Sequence, residues 1–207
     1  MNQSTFWNKI ASKYDTSVQK NYAQAYNQTI SKIKENLQEH YHVLDIGCGT
    51  GIITNQIADN VSYVIGIDTS EKMLDIPKEK ANTLNLTNVQ YILGSLDELS
   101  DNQKTFDAII AANVLYFIRD IHRFLENIRS KLKDGGVFIS VTDCLGEKWS
   151  FKNVLLFISI KLGLLPWMKL FTIKSLKSII GECGFTIKGE QNLYPYPPNY
   201  LIIATKK

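Results

Sequence analysis

His42-Val43-Leu44-Asp45-Ile46-Gly47-Cys48-Gly49-Thr50-Gly51 is a short apolar run with an acid near its end, followed by three glycines at alternate positions. The run reads as a buried strand, and the glycines as a tight turn where backbone must lie close to a ligand. Glycine has no Cβ, so it accepts φ > 0 and lets a flat group rest on the main chain. A helix starting near Thr50 aims its free N–H groups at the same spot, which completes a nucleotide cradle. A dinucleotide fingerprint would need its third glycine where Ile52 stands, and a P-loop would need a lysine followed by Ser or Thr. Neither is present, so NAD, FAD and nucleoside triphosphates are disfavoured.

Outward from this stretch, β-branched and apolar runs recur. They are Val43 to Ile46, Ser62 to Ile67, Val89 to Leu93, Phe106 to Ala111, Val137 to Thr142, Phe185 to Lys188 and Tyr200 to Thr205. Most are separated by amphipathic stretches of helix length, which predicts an α/β fold with a parallel sheet covered on both faces. The last two runs are joined through Tyr194-Pro195-Tyr196-Pro197-Pro198-Asn199, a turn that suits an antiparallel hairpin, so the sheet is expected to end in one reversed strand. Ahead of the first run, Phe6 to Glu39 has helical apolar spacing and reads as two helices capping the site. Residues 143–170 are rich in Leu, Ile, Phe and Trp and are expected to form a helical lid. Residues 1–207 are expected to form one domain, with residues 1–40 as its capping helices.

Val43 to Gly51 resembles the first motif of class I S-adenosylmethionine-dependent methyltransferases, and the segments on either side fall into the same register. The resemblance implies a Rossmann-like, doubly wound, seven-stranded sheet in the order 3-2-1-4-5-7-6. It also implies a cofactor, S-adenosylmethionine, at the carboxyl ends of the strands, its amino acid part lying against Gly47, Cys48, Gly49 and Gly51. Phe6 to Asp15 is similar to the opening of the quinone-biosynthesis group, where a tyrosine matching Tyr14 closes over the cofactor. Core packing is the alternative for Tyr14.

Asp68 follows the second run about 20 residues after the glycine turn, where a carboxylate can accept both hydroxyls of a ribose. A helix cap is the alternative, and Thr69 beside it shares the position. Met73 suits an adenine face or plain helix packing. Asp45, inside an apolar strand, needs partners, which backbone N–H groups or the cofactor's ammonium can supply. Gly94-Ser95-Leu96-Asp97 matches the segment that reads adenine in the family, with Ser95 where the family has an acid. Serine is a weaker, neutral acceptor, so Asp97 is a candidate to act in its place. Asn113 is expected beside the cofactor's amino acid end, and Tyr116 in the substrate cavity. Relatives often carry histidines where Tyr116 and Phe117 stand, so no general base is evident.

The 207 residues, 44% of them hydrophobic, suffice for one good core. A formal charge of +3 from scattered lysines and arginines does not make a nucleic-acid face. Three cysteines without metal spacing fit a reducing compartment, and His40, His42 and His122 are too scattered to specify a metal. Met1 to Thr5 is polar, which predicts a cytoplasmic protein. Val154 to Met168 is too short and too interrupted for a membrane span, although a membrane-surface contact is a further reading of it. These expectations converge on an enzyme that transfers a methyl group to a small hydrophobic or aromatic molecule by in-line displacement. Trp149, Phe151, Phe157 and Trp167 are expected to wall the acceptor, with Tyr116 and Tyr14 facing it. The alternative is a cofactor-binding regulatory or partner subunit without transferase activity.

Overall fold

The computed structural model describes residues 2–99, 105–148 and 151–206, with only the backbone at residues 151 and 152. Seven strands form one sheet: β1 (His42–Ile46), β2 (Tyr63–Asp68), β3 (Val89–Leu93), β4 (Phe106–Ala112), β5 (Leu132–Asp143), β6 (Phe185–Pro195) and β7 (Pro198–Lys206). Their order is β3-β2-β1-β4-β5-β7-β6, as the resemblance implied. β1 runs parallel to β2 and β4, β2 to β3 and β4 to β5; β7 alone is reversed, antiparallel to β5 and β6. The proline-rich stretch before β7 is the hairpin turn, and its Tyr196–Pro197 peptide is cis.

Six helices flank the sheet: α1 (Gln3–Lys34), α2 (Ile52–Ile57), α3 (Glu71–Thr83), α4 (Ile121–Lys131), α5 (Phe151–Lys161) and α6 (Ile173–Glu182). Successive side chains of a strand point to opposite faces, so a strand apolar throughout must be covered twice. Val43 of β1 accordingly packs with Ile33 of α1 and Ile53 and Ile57 of α2, whereas Leu44 packs with Leu125 and Ile128 of α4 and Leu176 and Ile180 of α6. The glycine loop is thereby held at the carboxyl edge of a sheet that is rigid on both faces.

The N-terminal segment is one helix, not two. No glycine or proline interrupts Gln3 to Lys34, so nothing breaks the hydrogen-bond ladder, and α1 runs unbroken for 32 residues. Its buried stripe is Ala11, Val18, Ala25, Thr29 and Ile33. Small residues on that stripe allow the helix to lie close over the carboxyl edge.

Of the segment expected to form a lid, the described helical part faces outward. Val154, Leu155, Phe157, Ile158, Leu162 and Leu164 are exposed, and Phe157 borders a separate hollow with Gly146, Asn153 and Leu170. Trp167 has the Arg119 guanidinium over its ring, and Lys169 donates its backbone N–H to the Tyr116 carbonyl at 2.7 Å. The segment is thus pinned beside the site, while α1 covers it. Trp149 lies outside the described residues, as does the side chain of Phe151. No helix among the described residues is long and apolar enough to cross a membrane.

Candidate cofactor and acceptor site

The turn after β1 needs its glycines. Gly47 and Gly49 have φ of +66° and +54°, the left-handed region that a side chain disfavours. A Cβ at Gly47 would stand 2.4 Å from Val114 Cγ2, so the loop and the exit of β4 close on each other. Gly51, also left-handed, has a different task. A Cβ there would meet Pro77 at 2.5 Å and the Tyr91 hydroxyl at 2.8 Å, so this glycine lets α3 approach the start of α2 and does not face the cofactor cavity. The sequence reading placed it with the cofactor-binding residues; the close helix approach accounts for it instead.

Around the loop lies a cavity of about 160 Å³. Tyr14, Gly47, Gly49, Asp68 and Thr69 line it, as do Met73, Ser95, Leu96 and Asn113. Asp45 and Cys48 line a smaller hollow beneath the loop, shared with Tyr14 and Gly49. The buried Asp45 carboxylate accepts the Thr54 hydroxyl at 2.6 Å, and burial pushes its pKa up to about 7. The Cys48 thiol sits against Gly66 of β2; burial raises its pKa well above the ordinary thiol value, so it stays protonated.

Asp68 is set by the backbone. Its Oδ2 accepts the Gly49 N–H at 3.0 Å and its Oδ1 the Ser70 N–H at 2.8 Å. Burial raises its pKa, against the pull of these N–H donors. The cap of α3 belongs to Ser70, whose hydroxyl accepts the Met73 N–H at 3.3 Å. Asp68 is therefore not spent as a cap, and each oxygen keeps a lone pair for a ligand hydroxyl. Ser95 forms a capping box with Glu98, its N–H and its hydroxyl both donating to that carboxylate, at 2.6 and 3.1 Å. Asp97 turns away, accepting Asn127 at 2.7 Å and pairing with Arg123 at 3.7 Å, so it does not replace Ser95.

The roof follows the capping expected of the N-terminal segment; Gln3, Trp7 and the polar anchors at Asn8 and Asp15 are what sequence reasoning missed. Gln3, Trp7 and Tyr14 of α1 close the cofactor cavity, with Trp7 edge-on to Phe117 at 5.5 Å. Polar links hold the roof down. Gln3 donates to the Phe117 carbonyl at 2.8 Å, Ser70 donates to Asn8 at 2.7 Å, and Thr50 donates to Asp15 at 2.5 Å. Lys80 of α3 pairs with the same Asp15 and also donates to the Thr50 carbonyl at 3.1 Å. Asn8 and Asp15 stand about two helical turns apart on α1, a pattern visible in the sequence but without a recognisable signature.

A second cavity of about 200 Å³ opens behind the first, between α1, the end of β5 and the β6–β7 hairpin. Trp7, Tyr14, Asn113 and Tyr116 border both. The Tyr14 and Tyr26 hydroxyls are 2.8 Å apart, and burial lifts both phenols above their usual pKa. Asn199 donates to Asn113 at 3.0 Å and to Asp143 at 2.7 Å. Burial also raises the Asp143 pKa, with the Asn199 bond opposing.

Residues 43–136 match the model of a methyltransferase domain. Over that stretch, a little under half of the chain, the protein is similar to the class I S-adenosylmethionine-dependent methyltransferases. It is 33% identical over 95 residues to the ubiquinone biosynthesis O-methyltransferase of Coxiella burnetii, a match that covers 46% of this chain and 40% of that protein. The chain thus spans less than half the length of that curated relative. Two solved structures share its fold over 100% of both chains at TM-score 0.75 and 19% identity. They are a SAM-dependent methyltransferase from Thermotoga maritima and the magnesium protoporphyrin IX methyltransferase of Synechocystis, the latter with bound SAH. S-adenosylmethionine is the cofactor of such methyltransferases, and the cavity's own chemistry suits it: an acceptor pair at Asp68, a bare backbone at Gly47 and Gly49, and apolar Met73 and Leu96 walls.

Proposed function

We propose that the protein transfers the methyl group of S-adenosylmethionine to a small, apolar or aromatic acceptor. The observation that carries this reading is the meeting of two cavities at Tyr14, Asn113 and Tyr116, one shaped by the cofactor motif and the other lined mainly by rings. Asp68 holds the ribose, Gly47 and Gly49 the amino acid end, and Ser95 with Leu96 and Met73 the adenine. Asp45, tied to Thr54, supports the loop from below.

When bound, the cofactor supplies a methyl group already activated by its sulfonium. The chain's own work is to orient the acceptor for in-line attack and to keep water out. The α1 roof serves the second purpose, since Trp7 and Tyr14 lie over both cavities. Among the described residues, the apolar α5 region lines neither cavity.

Calorimetry with S-adenosylmethionine tests the donor half of this reading. Asp68→Ala removes an ionised acceptor, and hydrogen bonds to charged groups contribute about 1.5–3 kcal/mol, so affinity is expected to fall roughly 10- to 100-fold. Unaltered affinity in that variant would overturn the ribose assignment. S-adenosylhomocysteine release with a panel of small acceptors reads the transfer itself.

A further inference from the structure

The acceptor cavity has an unbalanced wall. Trp7, Tyr14, Tyr22, Tyr26, Tyr116 and Tyr194 contribute rings, and among the described residues the single charged side chain on it is Asp143. No lysine, arginine or histidine faces that carboxylate there. Its Oδ1 is held by Asn199 at 2.7 Å, and among the described residues its Oδ2 has no hydrogen bond or ion pair. Asp143 is absent from the wall of the cofactor cavity, so its charge is not committed to the methyl donor.

A half-buried carboxylate without a counterion is costly, and aromatic faces carry the negative side of their quadrupole. Both features repel an anionic acceptor and attract a cation. We infer that the cavity takes a small amine, bound as its ammonium ion between the tyrosine rings and the Asp143 carboxylate, which then accepts the proton the nitrogen must lose. The inference rests on the methyl-transfer reading and names the acceptor class within it. One ammonium N–H bond breaks and its proton goes to the free oxygen of Asp143, leaving a lone pair on nitrogen. That pair forms the N–C bond to the methyl carbon while the C–S bond breaks, its electrons staying on sulfur. The methylated ammonium and S-adenosylhomocysteine leave, and Asp143 returns its proton to water. Burial keeps the carboxyl group more basic than an exposed aspartate, which favours this role.

The test uses the full chain saturated with S-adenosylhomocysteine and three probes of one shape: benzylammonium, benzyl alcohol and benzoate. Benzylammonium is expected to bind at least about tenfold more tightly than benzyl alcohol, with benzoate weakest of the three. Asp143→Asn keeps the shape and the Asn199 bond, and is expected to bring benzylammonium and benzyl alcohol within about twofold of each other. Tyr22→Leu, at a position 46% exposed and so tolerant of change, is expected to weaken benzylammonium severalfold and to leave benzyl alcohol nearly unchanged. With S-adenosylmethionine and tyramine, which offers an amine and a phenol in one molecule, mass spectrometry is expected to find the methyl group on nitrogen. Benzyl alcohol or benzoate binding as tightly as benzylammonium overturns the inference. So do no binding of benzylammonium, an ammonium preference that survives Asp143→Asn, or methylation of the tyramine phenol. Failure of S-adenosylmethionine to bind the unaltered protein, measured first, would instead remove the methyl-transfer reading beneath it.

Discussion

The cofactor cavity and the acceptor cavity share Trp7, Tyr14, Asn113 and Tyr116, yet they are built in opposite ways. The first is anchored on the backbone and short side chains of the turns after β1, β2, β3 and β4, with apolar side chains and three α1 residues closing around them. The second brings together long side chains from α1, the end of β5 and the β6–β7 hairpin. A site made of main chain tolerates little variation, because a single Cβ fills it. A site made of side chains on separate elements can be respecified without disturbing the fold. The donor half is therefore constrained by geometry, and the acceptor half by the choice of side chains.

The sharpest test adds atoms at Gly51, behind the donor cavity, where the loop carrying that half rests on α3. At Gly51 an alanine Cβ would meet Pro77 and Tyr91 in a left-handed conformation. Overpacking and αL strain cost about 1–3 and 1–2 kcal/mol, so Gly51→Ala is expected to lower stability by roughly 2–5 kcal/mol, read from urea unfolding. An unchanged midpoint would mean that α3 and the loop give way freely.

Asp45 separates the halves by pH. Its pKa lies near 7 in the folded chain, above the value of an unfolded aspartate, so the native state holds the extra proton between about pH 4 and 7. Its contribution to stability is complete below the unfolded pKa and is lost as pH rises through 7. Asp45→Asn is expected to flatten that part of the pH–stability profile and to raise the melting temperature at pH 8 relative to the parent. Asp68 and Asp143, also raised, leave a residual slope of the same sign. A profile that keeps its full slope in the variant would refute the assignment.

On the side-chain half the effects are smaller. Tyr14→Phe removes the hydroxyl contact with Tyr26 and leaves the ring, so a loss of about 1 kcal/mol in thermal unfolding is expected, with cofactor affinity nearly intact. A large loss of affinity would show that the hydroxyl, not the ring, serves the cofactor. Least of all is expected from Asp97→Ala. Its partners lie on α4, its ion pair is exposed, and calorimetry should show S-adenosylmethionine affinity within about twofold of the parent. A tenfold loss would return Asp97 to the adenine site.

The same contrast governs what could be read before the structure was seen. Glycine spacing, alternating apolar runs and an acid after the second run are local patterns, and they mark the strands, the glycine turn and Asp68, whereas the strand order came with the family resemblance. The capping alternative for Asp68 was settled only by three dimensions, because Ser70 is an equally good cap in sequence and proved to be the one used. The acceptor wall escaped because no local pattern joins Tyr22, Asp143 and Tyr194. Hydrophobic richness at residues 143–170 suggested a lid, but burial is decided by what lies opposite, and the carboxyl edge was already covered by α1. The helical spacing of Phe6 to Glu39 carries the cap on the site, but not that the cap is one unbroken helix or that small Ala11 and Ala25 let it lie close.

The unbroken run of α1 has a kinetic consequence. At a rise of about 1.5 Å per residue it is a rod of roughly 48 Å, with no glycine or proline to serve as a hinge. Because Trp7 and Tyr14 sit on that rod above both cavities, the helix cannot uncover one and leave the other shut. Release of the links at Asn8 and Asp15 exposes donor and acceptor positions in the same event. The two cavities thus share one rigid cover, and access to either depends on the same few polar links.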